Sequence, residues 1–98
     1  MKITILPSAQ SDLANGFEFY ENQEAGLGSY FMESLFSDID SLKLYGGIHR
    51  KVFGYYRSLS KRFPYAVYYS LEAETLLVRA VLDCRRDPGR IRASLERN

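Results

Sequence analysis

The apolar residues of this chain change their spacing at Gly46-Gly47, and that change constrains the fold more than any other feature. Before the glycines, Ala9, Leu13, Phe17 and Tyr20 recur at intervals of four, four and three. Leu27, Phe31, Leu35, Ile39 and Leu42 do the same, with Met32 and Phe36 widening the stripe. Both runs mark one face of an α-helix. After the glycines the period becomes two: Tyr65, Val67, Tyr69 and Leu71 alternate with Ala66, Tyr68 and Ser70. Helices first and strands afterwards predict an α+β architecture in which the helices segregate to one face of a sheet. The 98 residues suffice for a single domain over 1–98 and are too few for two.

The boundaries follow from local chemistry. Lys2 to Leu6 reads as a short strand stopped by Pro7. Ser8 is the expected N-cap of the first helix, which runs to about Gln23, and Asp12 suits the positive helix end. Gly26 and Gly28 supply a tight turn. The second helix, from about Leu27 to Leu44, completes an antiparallel αα-hairpin, with Glu18, Glu21, Glu33, Asp38 and Asp40 in water. Lys51 to Ser60 reads as one strand or two short ones, interrupted at Gly54. Phe63-Pro64-Tyr65 opens the next strand, Glu72-Ala73-Glu74 forms a hairpin loop, and Thr75 to Leu82 is the last strand. That strand is expected to carry Leu76, Val78, Ala80 and Leu82 on one face and Leu77, Arg79 and Val81 on the other. Apolar on both faces, it belongs in the centre of the sheet. Asp87-Pro88 starts a short C-terminal helix with Ile91 and Leu95 on its apolar stripe. The whole predicts an N-terminal strand, a two-helix hairpin on one face of a mainly antiparallel sheet of about four strands, and a short terminal helix.

Composition excludes several function classes. Hydrophobic residues make up 46% and charged residues 26%, as in ordinary soluble domains. The apolar run in Met1 to Pro7 is too short for a signal peptide, and no segment has the length of a membrane span, so a cytoplasmic location is expected. The lone Cys84 forms no intramolecular disulfide and no metal site, which fits a reducing compartment; it reads as a buried apolar filler at a strand end. The net charge is +1, but acidic residues gather between Asp12 and Asp40 and basic ones from Arg50 to Arg97. A basic half suits phosphate or an acidic partner; it equally suits a solvated face with ordinary ion pairs.

Leu27-Gly28-x-x-Phe31 opens the second helix, Arg57 and Arg62 flank the strand before Phe63-Pro64-Tyr65-Ala66-Val67-Tyr68-Tyr69, and Arg79 to Pro88 closes the sheet with Arg85-Arg86-Asp87-Pro88. In that order these features resemble the RelE/ParE toxin superfamily, in particular its ParE-like, plasmid-stabilisation branch, over nearly the whole chain. The resemblance implies a type II toxin neutralised by a cognate antitoxin, a growth inhibitor that needs no cofactor and no metal. It implies one of two targets: DNA gyrase, inhibited by binding alone, or the ribosome and its mRNA, cut by a metal-independent endoribonuclease. A degenerate member that only binds an antitoxin, and self-association into a homodimer, are left open, as are the antitoxin-binding residues.

The residues weigh on the choice. RNA cleavage without a metal needs a base, an acid and cations for the phosphate. Arg57, Arg79 and Arg85, on or beside adjacent strands, are the candidate cations, because a guanidinium grips phosphate bidentately. The acid and base are not assigned. His49 reads as an exposed loop histidine, Glu72 and Glu74 as exposed hairpin residues, and no tyrosine or histidine follows Tyr69. Tyr55, Tyr56, Tyr65, Tyr68 and Tyr69 suit base stacking and, equally, strand packing. In the ParE-like reading Arg85, Arg86, Arg90 and Arg92 form the target-contact surface. The competing reading pairs Arg85 and Arg86 with Asp83 and Asp87.

Overall fold

The computed structural model describes residues 1–97. Its elements are β1 (Lys2–Ile5), α1 (Pro7–Glu21), α2 (Leu27–Asp40), α3 (Leu42–Tyr45), β2 (Lys51–Val52), β3 (Tyr55–Leu59), β4 (Tyr65–Glu72), β5 (Thr75–Asp83) and α4 (Pro88–Glu96). The sheet has five strands in the order β1-β5-β4-β3-β2. β1 pairs parallel to β5 and the other pairings are antiparallel. The Lys51 to Ser60 region forms two short strands interrupted at Gly54, one of its two expected readings, because Phe53 (φ 55°) and Gly54 (φ 87°) are both left-handed, and this makes five strands where about four were expected. β5 is central, as its two apolar faces require.

One strand departs from simple alternation. Tyr68 pairs with Ala80 but Tyr69 pairs with Val78, so Arg79 is an extra residue in a β-bulge. The faces exchange there. Leu76, Val78 and Val81 join the core under the helices, whereas Ala80 and Leu82 join the core under α4. The expected face of Leu76, Val78, Ala80 and Leu82 is thus split in two.

The larger core packs Leu13 and Tyr20 of α1, and Phe31, Leu35 and Ile39 of α2, on Tyr65, Val67 and Tyr69 of β4. Phe31 is completely buried, and a Cβ at Gly16 would lie 2.4 Å from its ring, so the glycine is what lets α1 approach α2. The smaller core sets Ile91 and Leu95 of α4 on Ala66, Tyr68, Ala80 and Leu82. The helical turn works by two devices: Gly26 is left-handed (φ 90°), and the Glu21 carboxylate accepts from the amides of Gly26 (3.0 Å) and Gly28 (2.9 Å).

Several local expectations change. The first helix starts at Pro7 without a side-chain cap; Ser8 donates instead to the Arg79 carbonyl at 3.2 Å. The second helix breaks at Ser41, whose hydroxyl bonds the Asp38 carbonyl at 2.6 Å. Asp38 is buried rather than in water, because its carboxylate accepts the Ser60 hydroxyl at 2.6 Å, and Glu21 is half-buried by its turn contacts. Phe36 lies outside the core at 45% exposure. Asp87 caps α4 through the Gly89 amide (3.1 Å), with Pro88 at its first position, as the sequence predicts.

Candidate functional site

β1 stops at Ile5, opposite Val78, while β5 continues to Asp83. The outer edge of β5 beyond the bulge therefore lies against α1, and side chains replace a strand there. Asp12 of α1 accepts the Val81 amide at 3.0 Å. The same carboxylate binds Arg97, just past α4, at 2.5 Å, so one buried acid joins α1, β5 and the C-terminal region. Local pattern makes Asp12 a helix-end charge; its partners lie 69 and 85 residues away, beyond the reach of that pattern.

A cavity of about 340 Å³ opens next to this joint, lined by Asp12, Asn15, Gly16, Phe19, Tyr65, Val81, Asp83, Arg85 and Arg86. Arg85 grips Asp83 bidentately, with Nε at 2.9 Å and Nη2 at 2.7 Å, and its backbone amide adds a bond of 2.8 Å. The bonds from Arg85 hold the Asp83 carboxyl below the usual carboxylate range. The same bond pushes the Arg85 guanidinium upward. Burial pushes the Tyr65 hydroxyl up to about 12, and Tyr20 is raised in the same way. The Arg86 guanidinium makes a long contact to the Ser94 hydroxyl (3.4 Å), and the Arg86 amide bonds the Asp83 carbonyl (3.3 Å).

The three arginines expected to hold a phosphate do not share a face. Arg57 of β3 lies opposite Tyr68, whose ring belongs to the core under α4. Arg79 stands at the bulge, over the Tyr55 ring (5.9 Å), bonded to Ser70 (3.0 Å) and near Glu72 (3.7 Å). Arg85 is on the helical-hairpin side, beside Tyr20 and Tyr65. His49 corrects its exposed-loop reading. It is half-buried, and its Nδ1 lies 2.6 Å from the Tyr69 hydroxyl, which also accepts the Gly47 amide at 2.8 Å. Tyr69 points to the hairpin face, opposite to Arg57. Burial raises the Tyr68 hydroxyl, with Arg57 opposing it. Of the five tyrosines, Tyr65, Tyr68 and Tyr69 are buried packing residues, and Tyr56 stacks on Tyr69 at 5.1 Å.

Cys84 is exposed, not a buried filler, because β5 has ended and the chain turns outward. Arg90 and Arg92 lie on the outer side of α4, both exposed; Arg92 makes a loose pair with Glu96 (3.4 Å). Arg86, Arg90 and Arg92 thus form an exposed basic end, with Arg85 beside it but engaged by Asp83. No described helix is long and apolar enough to cross a membrane.

No family model and no curated protein matches the sequence. Among solved structures the chain is similar to one from the chromosomal ParDE TA system of P. aeruginosa, with a TM-score of 0.72, 83% of this chain and 92% of that chain covered, and 13% identity. At that identity the likeness is one of fold.

Proposed function

We propose that this chain is the toxin of a type II toxin–antitoxin pair and acts by binding DNA gyrase rather than by cutting RNA, with a cognate antitoxin as its neutralising partner. Two lines support the reading. The fold is shared with a chain of a ParDE TA system, in agreement with the ParE-like order of motifs in the sequence. The observation that carries the choice of mechanism is the division of Arg57, Arg79 and Arg85 between opposite faces of the sheet, where a phosphate clamp needs its cations convergent. The exposed basic end of Arg86, Arg90 and Arg92 is the contact surface in this account, with Arg85 held in place beside it by Asp83.

The test is gyrase-catalysed supercoiling with the purified chain and an Arg85→Ala/Arg86→Ala variant. The wild-type protein inhibits supercoiling, and the double variant loses inhibition while staying folded and keeping its binding to the antitoxin. Full inhibition by a folded double variant contradicts the contact surface. No inhibition by the wild type contradicts the gyrase target.

A further inference from the structure

The cavity beside α1 contains a group that the packing leaves unused. Tyr65 is only 8% exposed, yet among the described residues its hydroxyl has no hydrogen-bond partner, and the ring lines the cavity wall. Among the described residues no buried side-chain oxygen lacks a partner, so this hydroxyl reaches the open cavity, where a ligand can accept its hydrogen bond. The backbone of β5 supplies a second unused donor. The Val81 amide leaves the ladder toward Asp12, and the Cys84 amide bonds Pro64 on the β4 side. By alternation the Asp83 amide points away from β4, along the edge that β1 no longer covers, and Asp83 lines the same cavity. Arg86 supplies a third donor set, close enough to Tyr65 to act on its ionisation.

The charges leave this cluster positive. Asp83 is neutralised by Arg85 and Asp12 by Arg97, so Arg86 is the cation on the wall that makes no ion pair among the described residues. The rim adds a flat apolar surface: Phe19 is 50% exposed and lines the same opening. A volume of about 340 Å³ lies within the range of roughly 300–1,000 Å³ common to small-molecule sites.

We propose that this cavity binds a phosphate monoester attached to a flat ring, the chemistry of a nucleotide, with the phosphate on the Tyr65 hydroxyl, the Asp83 amide and the Arg86 guanidinium and the ring against Phe19. Donors arriving from β4, from the β5 edge and from the following turn suit the spread oxygens of a phosphate better than a planar carboxylate, which one guanidinium satisfies edge-on. The ligand is either a free mononucleotide or the 5′-phosphorylated end of a strand. The site shares Arg86 with the proposed contact surface, whereas Tyr65 and Phe19 lie outside that surface, so Tyr65→Phe and Phe19→Ala test the cavity without touching the gyrase reading.

The test is titration of the full chain with AMP, inorganic phosphate, benzoate, and a tetranucleotide with or without a 5′-phosphate, followed through amide NMR shifts at Val81 and Asp83. AMP or the 5′-phosphorylated strand binds saturably. Tyr65→Phe, which removes only the hydroxyl, weakens that binding by roughly ten- to a hundredfold, as loss of one charge-assisted hydrogen bond should. Phe19→Ala weakens AMP and leaves inorganic phosphate unchanged. AMP binding as tightly as the phosphorylated strand, or more tightly, assigns the free nucleotide; tighter binding of the strand, lost without its 5′-phosphate, assigns the strand end. The proposal is overturned if neither phosphate ligand binds, if binding is unchanged in a folded Tyr65→Phe/Arg86→Ala variant, or if benzoate binds more tightly than both.

Discussion

Asp12 shows how much one residue can organise. Its carboxylate satisfies the Val81 amide where β1 has run out and holds Arg97 from the far end of the chain. Asp12→Ala leaves a buried amide and a guanidinium without their acceptor, and should lower stability by about 2–4 kcal/mol in urea denaturation. Arg97→Ala should cost less, about 1 kcal/mol, because Arg97 is partly exposed (37%) and the Val81 bond survives. An equal loss in the two variants would show that the ion pair, not the amide bond, carries the joint. Tyr65 sets an alkaline limit. Its folded-state value of about 12 lies above the ordinary 10.0, because burial disfavours the phenolate. The stability from keeping it neutral is fully present below about pH 10 and is lost as pH rises toward 12. The urea midpoint should fall across that window, and Tyr65→Phe should flatten the fall; an unchanged slope would rule Tyr65 out as its source. Asp83 acts at the other end. Its lowered value gives stability present above the ordinary carboxylate range and lost on acidification, and Asp83→Asn should remove that part of the acid dependence.

At the scale of elements, the α1–α2 hairpin rests on Phe31 and on the space that Gly16 leaves for it. Phe31→Ala should destabilise by about 3–5 kcal/mol, the usual cost of emptying a fully buried aromatic site. Gly16→Ala should cost about 1–3 kcal/mol by overpacking, since the new methyl meets a ring fixed among Tyr20, Phe63 and Tyr65. A stability within 0.5 kcal/mol of wild type, roughly the range of neutral surface changes, would refute either packing role. The helices, the central strand and the Asp87-Pro88 start were legible because each is written in neighbouring residues. The bulge at Arg79 was not: a single extra residue leaves the local pattern of apolar residues intact and only exchanges the faces they reach. Asp38 and Glu21 read as solvent-facing charges because their partners, Ser60 and the Gly26 and Gly28 amides, are joined to them by tertiary structure and by a turn.

At the scale of the molecule, the basic second half resolves into distinct neighbourhoods. Arg57 and Arg79 lie toward the open side of the sheet, Arg85 is bound to Asp83, and Arg86, Arg90 and Arg92 form an exposed end. Sequence placed the basic residues correctly along the chain but not around the sheet, since strand pairing and the bulge decide which face each one meets. The candidate cavity was likewise invisible, because Asn15, Phe19, Tyr65 and Arg86 come from α1, β4 and the turn after β5. The central claim, a toxin that binds rather than cuts, is tested most directly by inducing the chain in a bacterial host and following DNA supercoiling and translation in the same culture. The account predicts growth arrest with impaired supercoiling while early translation continues and mRNA stays intact. Rapid translation arrest with cleaved mRNA, or no arrest at all, would contradict it.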